Sequence, residues 1–104
     1  MQVIFSRVAA DQLRERYTVL ELETFSVGED LLEAFCVVPA EKMNLGDLPN
    51  LDSHIKMHQE LIEQLKIKNY QFCSDAIEHL MGKFGGELDS FYEIVLERCN
   101  KNVT

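Results

Sequence analysis

Residues 17–39, YTVLELETFSVGEDLLEAFCVVP, constrain this chain more than any other stretch. From Tyr17 to Phe25 the pattern alternates. Leu20 and Leu22 fall on one face, and Val19, Glu21 and Glu23 on the other, as in a strand with one wet side. Ser26-Val27-Gly28-Glu29-Asp30 reads as a turn, because Gly28 can take a positive φ. Leu31 to Val38 returns with one charge, Glu33, so it is expected to be the more buried and central strand. Pro39 ends it, since proline cannot donate to a ladder. A lone hairpin is marginal in water. The remaining residues must therefore supply a third strand, a covering layer of helices, or a second copy that pairs at a free edge.

Gln2 to Ser6, QVIFS, is the in-chain candidate for a third strand, though five residues leave the choice open. Ser6 is placed to cap a short helix over Arg7–Arg16, with Ala9, Ala10 and Leu13 inward. Residues 40–50, AEKMNLGDLPN, read as a connector punctuated by Gly46 and Pro49, with Leu45 and Leu48 tacked onto the core.

Three amphipathic stripes follow. The first helix runs from Leu51 to Ile67 and carries Leu51, Ile55, His58, Leu61, Ile62 and Leu65, with Asn50 as N-cap. The second runs from Tyr70 to Phe84 and buries Phe72, Cys73, Ala76, Ile77, Leu80 and Phe84, with Gly85 as its left-handed terminator. The third starts at Gly86 or Glu87 and carries Leu88, Phe91, Tyr92, Val95, Leu96 and Cys99. Asn100 to Thr104 are expected to fray.

Strands first and helices afterwards specify the α+β class: a small antiparallel sheet, then a three-helix antiparallel part covering one face. At 104 residues the chain makes one domain. It divides into a short helix plus hairpin (1–39), the connector (40–50) and three helices (51–100).

Charge narrows the function. Eighteen acidic residues against ten basic leave a net charge of -8. Direct binding to nucleic acid needs clustered Lys and Arg, so it is not expected. A basic protein partner is permitted, as is an acidic inhibitor that mimics nucleic acid toward a nucleic-acid-binding protein. A solvated acidic surface serves solubility with neither. Cys36, Cys73 and Cys99 form no close pair, which points to reduced thiols. No secretory signal and no membrane-length apolar run is visible, so a cytoplasmic protein without membrane association is expected.

Several side chains have the types that chemistry uses. His54 and His58 are four apart, the spacing by which a helix presents two metal ligands, and Cys36, Cys73 or His79 would have to complete a site. HIKMH lacks the glutamate of HExxH, and His58 lies on the apolar stripe, so packed or hydrogen-bonded histidines are the plainer expectation. Cys73, in the first turn of a helix, is the one candidate for a reactive thiol. GKFGGELDS (82–90) is glycine-rich and opens a helix, but it lacks the P-loop ending. Glu87 and Asp89 also place negative charge where a phosphate would sit. Glu87, Asp89 and Glu93 suit a helix N-terminus, and Asp89 is placed to bond the donors of the preceding turn.

His58 to Met81, HQELIEQLKIKNYQFCSDAIEHLM, resembles the helical hairpin of a tetratricopeptide repeat. Leu61 and Leu65 sit where its first helix packs, Asn69-Tyr70 matches its turn, and Ala76 its close helix approach. The signature Trp and Gly of the first helix and the closing Pro are missing. A single copy implies a hairpin of that geometry rather than a repeat array, which needs about three units. The wider arrangement is similar to a class of small tailed-bacteriophage proteins, through YTVLELETF (17–25), AFCVVP (34–39) and AIEHLMGKFGGELDSFY (76–92). That resemblance implies expression in the cytoplasm of an infected bacterium and transfers no activity or functional residue.

These observations favour a non-enzymatic, cofactor-free domain that binds another protein. Its expected surfaces are the turn at Phe84, Gly85 and Gly86 with Tyr92 nearby, and the hairpin edge, through which a homodimer is expected to form if one does. The alternatives are a metal- or thiol-dependent protein using His54, His58 and Cys73, and the acidic inhibitor.

Overall fold

The computed structural model describes residues 1–102, with the side chain of Phe25 outside the description. The order is β1 (Gln2–Ile4), α1 (Arg7–Leu13), β2 (Thr18–Val27), β3 (Asp30–Val38), two 3-10 turns (Ala40–Lys42 and Leu45–Asn50), α2 (Leu51–Lys66), α3 (Tyr70–Leu80), a third 3-10 turn (Phe84–Gly86) and α4 (Asp89–Asn102). The fold is α+β. The sheet is antiparallel with order β1-β3-β2, so the strand with one inner charge is central. Residues 2–4 do form the third strand. They pair Gln2 with Val37, Val3 with Cys36 and Ile4 with Phe35. Gly28-Glu29 closes the hairpin as a two-residue turn between the paired Val27 and Asp30.

Alternation along β3 feeds two cores rather than one. Ala34, Cys36 and Val38 join Leu20 and Leu22 beneath α2, α3 and α4. Phe35 and Val37 point the other way and join Val19, Ala10 and Leu13 beneath α1. The expectation of helices on one face and water on the other is therefore wrong at this end of the sheet. Seven residues of α1, capped by Ser6 Oγ accepting from Ala9 N–H at 3.2 Å, cover Val19. That helix stops at Leu13, a turn before the expected Arg16.

β2 carries a bulge. Glu21 faces Phe35 and Thr24 faces Glu33, so Leu22 and Glu23 together oppose Ala34. An extra residue bends and twists a strand locally. Both remaining layers are tied down there. The Lys66 ammonium of α2 lies 3.6 Å from the Glu21 carboxylate, and Arg98 of α4 donates to Glu23 at 2.7 Å.

The helical half departs from expectation mostly at its ends. α2 begins at Leu51, but Asn50 makes no capping bond. The preceding 3-10 turn runs straight into the helix, and Leu51 N–H bonds the Leu48 carbonyl instead. Within that turn Leu45 is 83% exposed and Leu48 is also exposed, so neither tacks the connector down. Met43 and Leu51 pack on the core in their place. α3 starts as read, with Asn69 Oδ1 accepting from Phe72 N–H, but ends at Leu80 rather than Phe84. Gly82 takes the left-handed conformation (φ 83°) one turn earlier than Gly85 was expected to.

Gly85 is also left-handed (φ 66°), for a second reason. A Cβ there would sit inside the backbone of Lys42, so the connector's first turn packs directly on the α3–α4 link. α4 starts at Asp89 and stays helical to Asn102, past the expected fraying point at Asn100. Val103 and Thr104 lie outside the described residues. Asp89 does what its position suggested: Oδ1 accepts from Gly82 N–H at 2.8 Å. No described helix is long and apolar enough to cross a membrane.

Candidate functional site

The residues singled out by their chemistry separate when placed in the fold. Phe84 and Tyr92, expected at an interaction surface, are 1% and 0% exposed and belong to the main core. Gly86 sits beside the Asp89 carboxylate, and Gly85 against Lys42. The outer face of the Phe84–Gly86 turn therefore offers no aromatic anchor.

His58 is the one fully buried polar residue among those described. It stands on α2 between the sheet and α4. Its Nε2 lies 2.6 Å from the Glu21 carbonyl oxygen and must donate, since a carbonyl can only accept. Nδ1 is then the acceptor, and the Tyr92 hydroxyl donates to it at 2.8 Å. The tautomer follows from these partners, and the imidazole is neutral. Burial pushes its pKa down to about 4. The Tyr92 hydroxyl is pushed well up, also by burial. Phe84 and Phe91 pack around the ring at 6.2 and 6.4 Å between centroids. A histidine with both nitrogens engaged has no lone pair left for a metal. This bond also satisfies a carbonyl at the bulge, where the ladder is interrupted.

His54 is half-buried at the edge of an open depression of 540 Å³ that also has Met57, His79 and Lys83 in its wall. Its ring meets Phe84 edge-on at 6.4 Å between centroids, the same aromatic that packs on His58. Among the described residues no three of His, Cys, Asp and Glu come together as a metal would need.

The thiols are equally closed. Cys36, Cys73 and Cys99 are buried and unbridged. Burial pushes Cys36 and Cys73 up to about 11 and raises Cys99. Cys73 Sγ lies 3.7 Å from the Leu61 carbonyl oxygen. Its place in a first helical turn does not lower its pKa, because desolvation of the thiolate outweighs the turn's donors.

What the structure gathers instead is an apolar groove of 290 Å³ on the helix side of the sheet. Val3 and Phe5 form one wall, Leu22 and Ala34 the floor, and Phe91 and Ile94 of α4 the other wall. Phe5 is 57% and Ile94 60% exposed. Sequence reasoning missed this site. The available signal was phase: Ile94 falls off the α4 stripe, and an apolar residue there has no intramolecular duty.

Charges around the groove are largely matched. On the opposite face, where Arg7 lies over the Phe35 ring, Arg7 engages Glu33, with Nε 3.1 Å from Oε1, and lowers that carboxyl's pKa mainly through this bond. Arg98 engages Glu23, and Lys101 engages Glu97 at 3.3 Å. Glu29 and Asp30, at the hairpin turn, have no cationic partner within 4 Å among the described residues.

Comparison with protein-family models, curated proteins and solved structures finds no match to this chain.

Proposed function

We propose that this chain is a non-enzymatic accessory domain that acts by binding another protein, in the cytoplasm of a bacterium infected by the phage that encodes it. The groove between β1 and α4 carries the reading. Large apolar side chains cost free energy when left in water, roughly 25 cal/mol per Å². A groove that keeps Phe5 and Ile94 exposed beside a packed core is the kind of surface that partners cover. The site requires no cofactor.

The test is affinity capture from the native cell with the natural chain and with a Phe5→Glu, Ile94→Glu double variant. A protein recovered by the first and lost by the second supports the reading. Partners retained by the double variant would move binding elsewhere and overturn it.

Self-association through the hairpin edge is the competing use of this end of the molecule. β2 is an outer strand ten residues long, which favours pairing, although its bulge opposes a regular ladder. Light scattering across concentration separates the two, since a strict monomer removes the homodimer. The metal or thiol alternative gains no support from a doubly bonded His58 and a buried Cys73. An acidic inhibitor would have to use carboxylates other than Glu21, Glu23 and Glu33, which basic side chains already hold.

A further inference from the structure

The sheet has a gap beside the groove. β1 is three residues long and its pairing with β3 stops at Ile4–Phe35. The chain then turns away, because Ser6 caps α1. β3 continues to Asp30, paired with β2 on its other side only. Residues 30–33 have no strand partner on the β1 side and stay exposed or half-buried, whereas Ala34, beside the last β1 pair, is buried. A stretch of four residues, about 13 Å of strand, thus presents a free edge. Alternation puts Leu32 on the same face as Ala34 and Cys36, so this edge borders the groove floor.

We propose that the edge of β3 at Asp30–Glu33 accepts an extended segment of another protein as an added strand, with alternate apolar side chains entering the groove between Phe5 and Ile94 and a basic side chain beside Glu29 and Asp30. This rests on the groove being the binding site and adds the shape and chemistry of its occupant. Backbone pairing supplies affinity in this mode, and pockets for every second side chain supply specificity. The basic residue follows from charge: Arg98 and Lys101, beside Ile94, are already held by Glu23 and Glu97, whereas Glu29 and Asp30 at the turn have no cation within 4 Å among the described residues. The same charge disfavours a second copy, which would bring its own Glu29 and Asp30 and a net charge of -8.

A display selection of random linear peptides about twelve residues long, long enough to span the edge with flanks, on the full chain tests this. Enriched peptides should alternate apolar with other residues and carry Lys or Arg toward one end. Their binding should fall at least tenfold against Ile94→Glu, against Asp30→Lys, and when the peptide's own amides are N-methylated. Backbone amide shifts of 30–33 should move on binding. Ile94 lies on the outer side of α4, and an unchanged melting curve for Ile94→Glu confirms that the variant folds. Peptides sensitive to Ile94→Glu that bind as helices, or leave the 30–33 amides unmoved, overturn strand addition while the groove reading stands. Failure to enrich any peptide sensitive to Ile94→Glu overturns both. A chain that is already dimeric, with those amides protected, assigns the edge to a second copy and overturns the proposal.

Discussion

Acid should destabilise this protein through one buried imidazole. His58 is buried and neutral, with its pKa near 4 against an ordinary 6.5. In the unfolded chain it regains the ordinary value. Between these two pH values the unfolded state binds a proton that the folded state refuses, so stability is full above about pH 6.5 and falls as pH drops toward 4. A pKa near 4 against 6.5 makes this worth about 3 kcal/mol in all, of which roughly 1 kcal/mol is already lost at pH 5.5. That is a large part of the 5–15 kcal/mol typical of a domain.

The assay is urea unfolding at constant ionic strength at about pH 7.5, 5.5 and 4.5, on the natural chain and on His58→Gln, which cannot titrate. Other carboxylates and the remaining histidines contribute equally to both. The natural chain should lose roughly 1 kcal/mol more than the variant between the first two conditions. Parallel pH profiles would show that His58 is not held neutral by burial, and would remove the Glu21–His58–Tyr92 bridge as described.

Three more outcomes follow from contacts elsewhere. Gly85→Val should cost at least about 2–4 kcal/mol in thermal or denaturant unfolding, from a side chain forced into the Lys42 backbone at positive φ, whereas Gly46→Ala, in open space, should change stability by less than about 0.5 kcal/mol. Equal melting temperatures for the two would refute the close approach. Asp89→Ala should lose about 1–2 kcal/mol by orphaning Gly82 N–H, and Asp89→Asn should recover part of it. Ellman's reagent near neutral pH should label Cys36, Cys73 and Cys99 only as fast as the protein opens. Rapid, selective labelling of Cys73 would restore the thiol alternative.

The hairpin and its central strand were legible because sheet alternation and a near-absence of charge are local signals. Ser6 and Asp89 were legible for a similar reason, since a cap reaches only a few residues, whereas the cap at Asn69 was read only as a turn and the cap expected at Asn50 does not form. The cover on the sheet's second face was not. Seven residues with two inward alanines make too weak a stripe to show which surface α1 seeks. The end of α3 was misplaced because Gly82 and Gly85 both suit a left-handed terminator, and only the distant Lys42 decides what Gly85 is for. Phe84 and Tyr92 fall on apolar stripes and also flank a turn, and helix phase rather than closeness to the turn decides their burial. His58 was expected to be packed or hydrogen-bonded, but its partners lie 34 and 37 residues away. No pattern within a helix could name them. The groove is a juxtaposition of β1 and α4, near opposite ends of the described chain, so only Ile94's phase pointed to it.

The contact of Gly85 with Lys42 also bears on how such a chain can vary. Connectors are usually where a lineage gains and loses residues, because a few more units of loop cost little. Here the first turn of the connector is keyed to a link more than forty positions downstream, so an insertion at 40–42 would have to be answered by a change at 84–86. Gly46 has no such neighbour. Length differences among descendants of this chain, and any tag spliced in by an experimenter, belong at Gly46 and beyond rather than at the turn that follows Pro39.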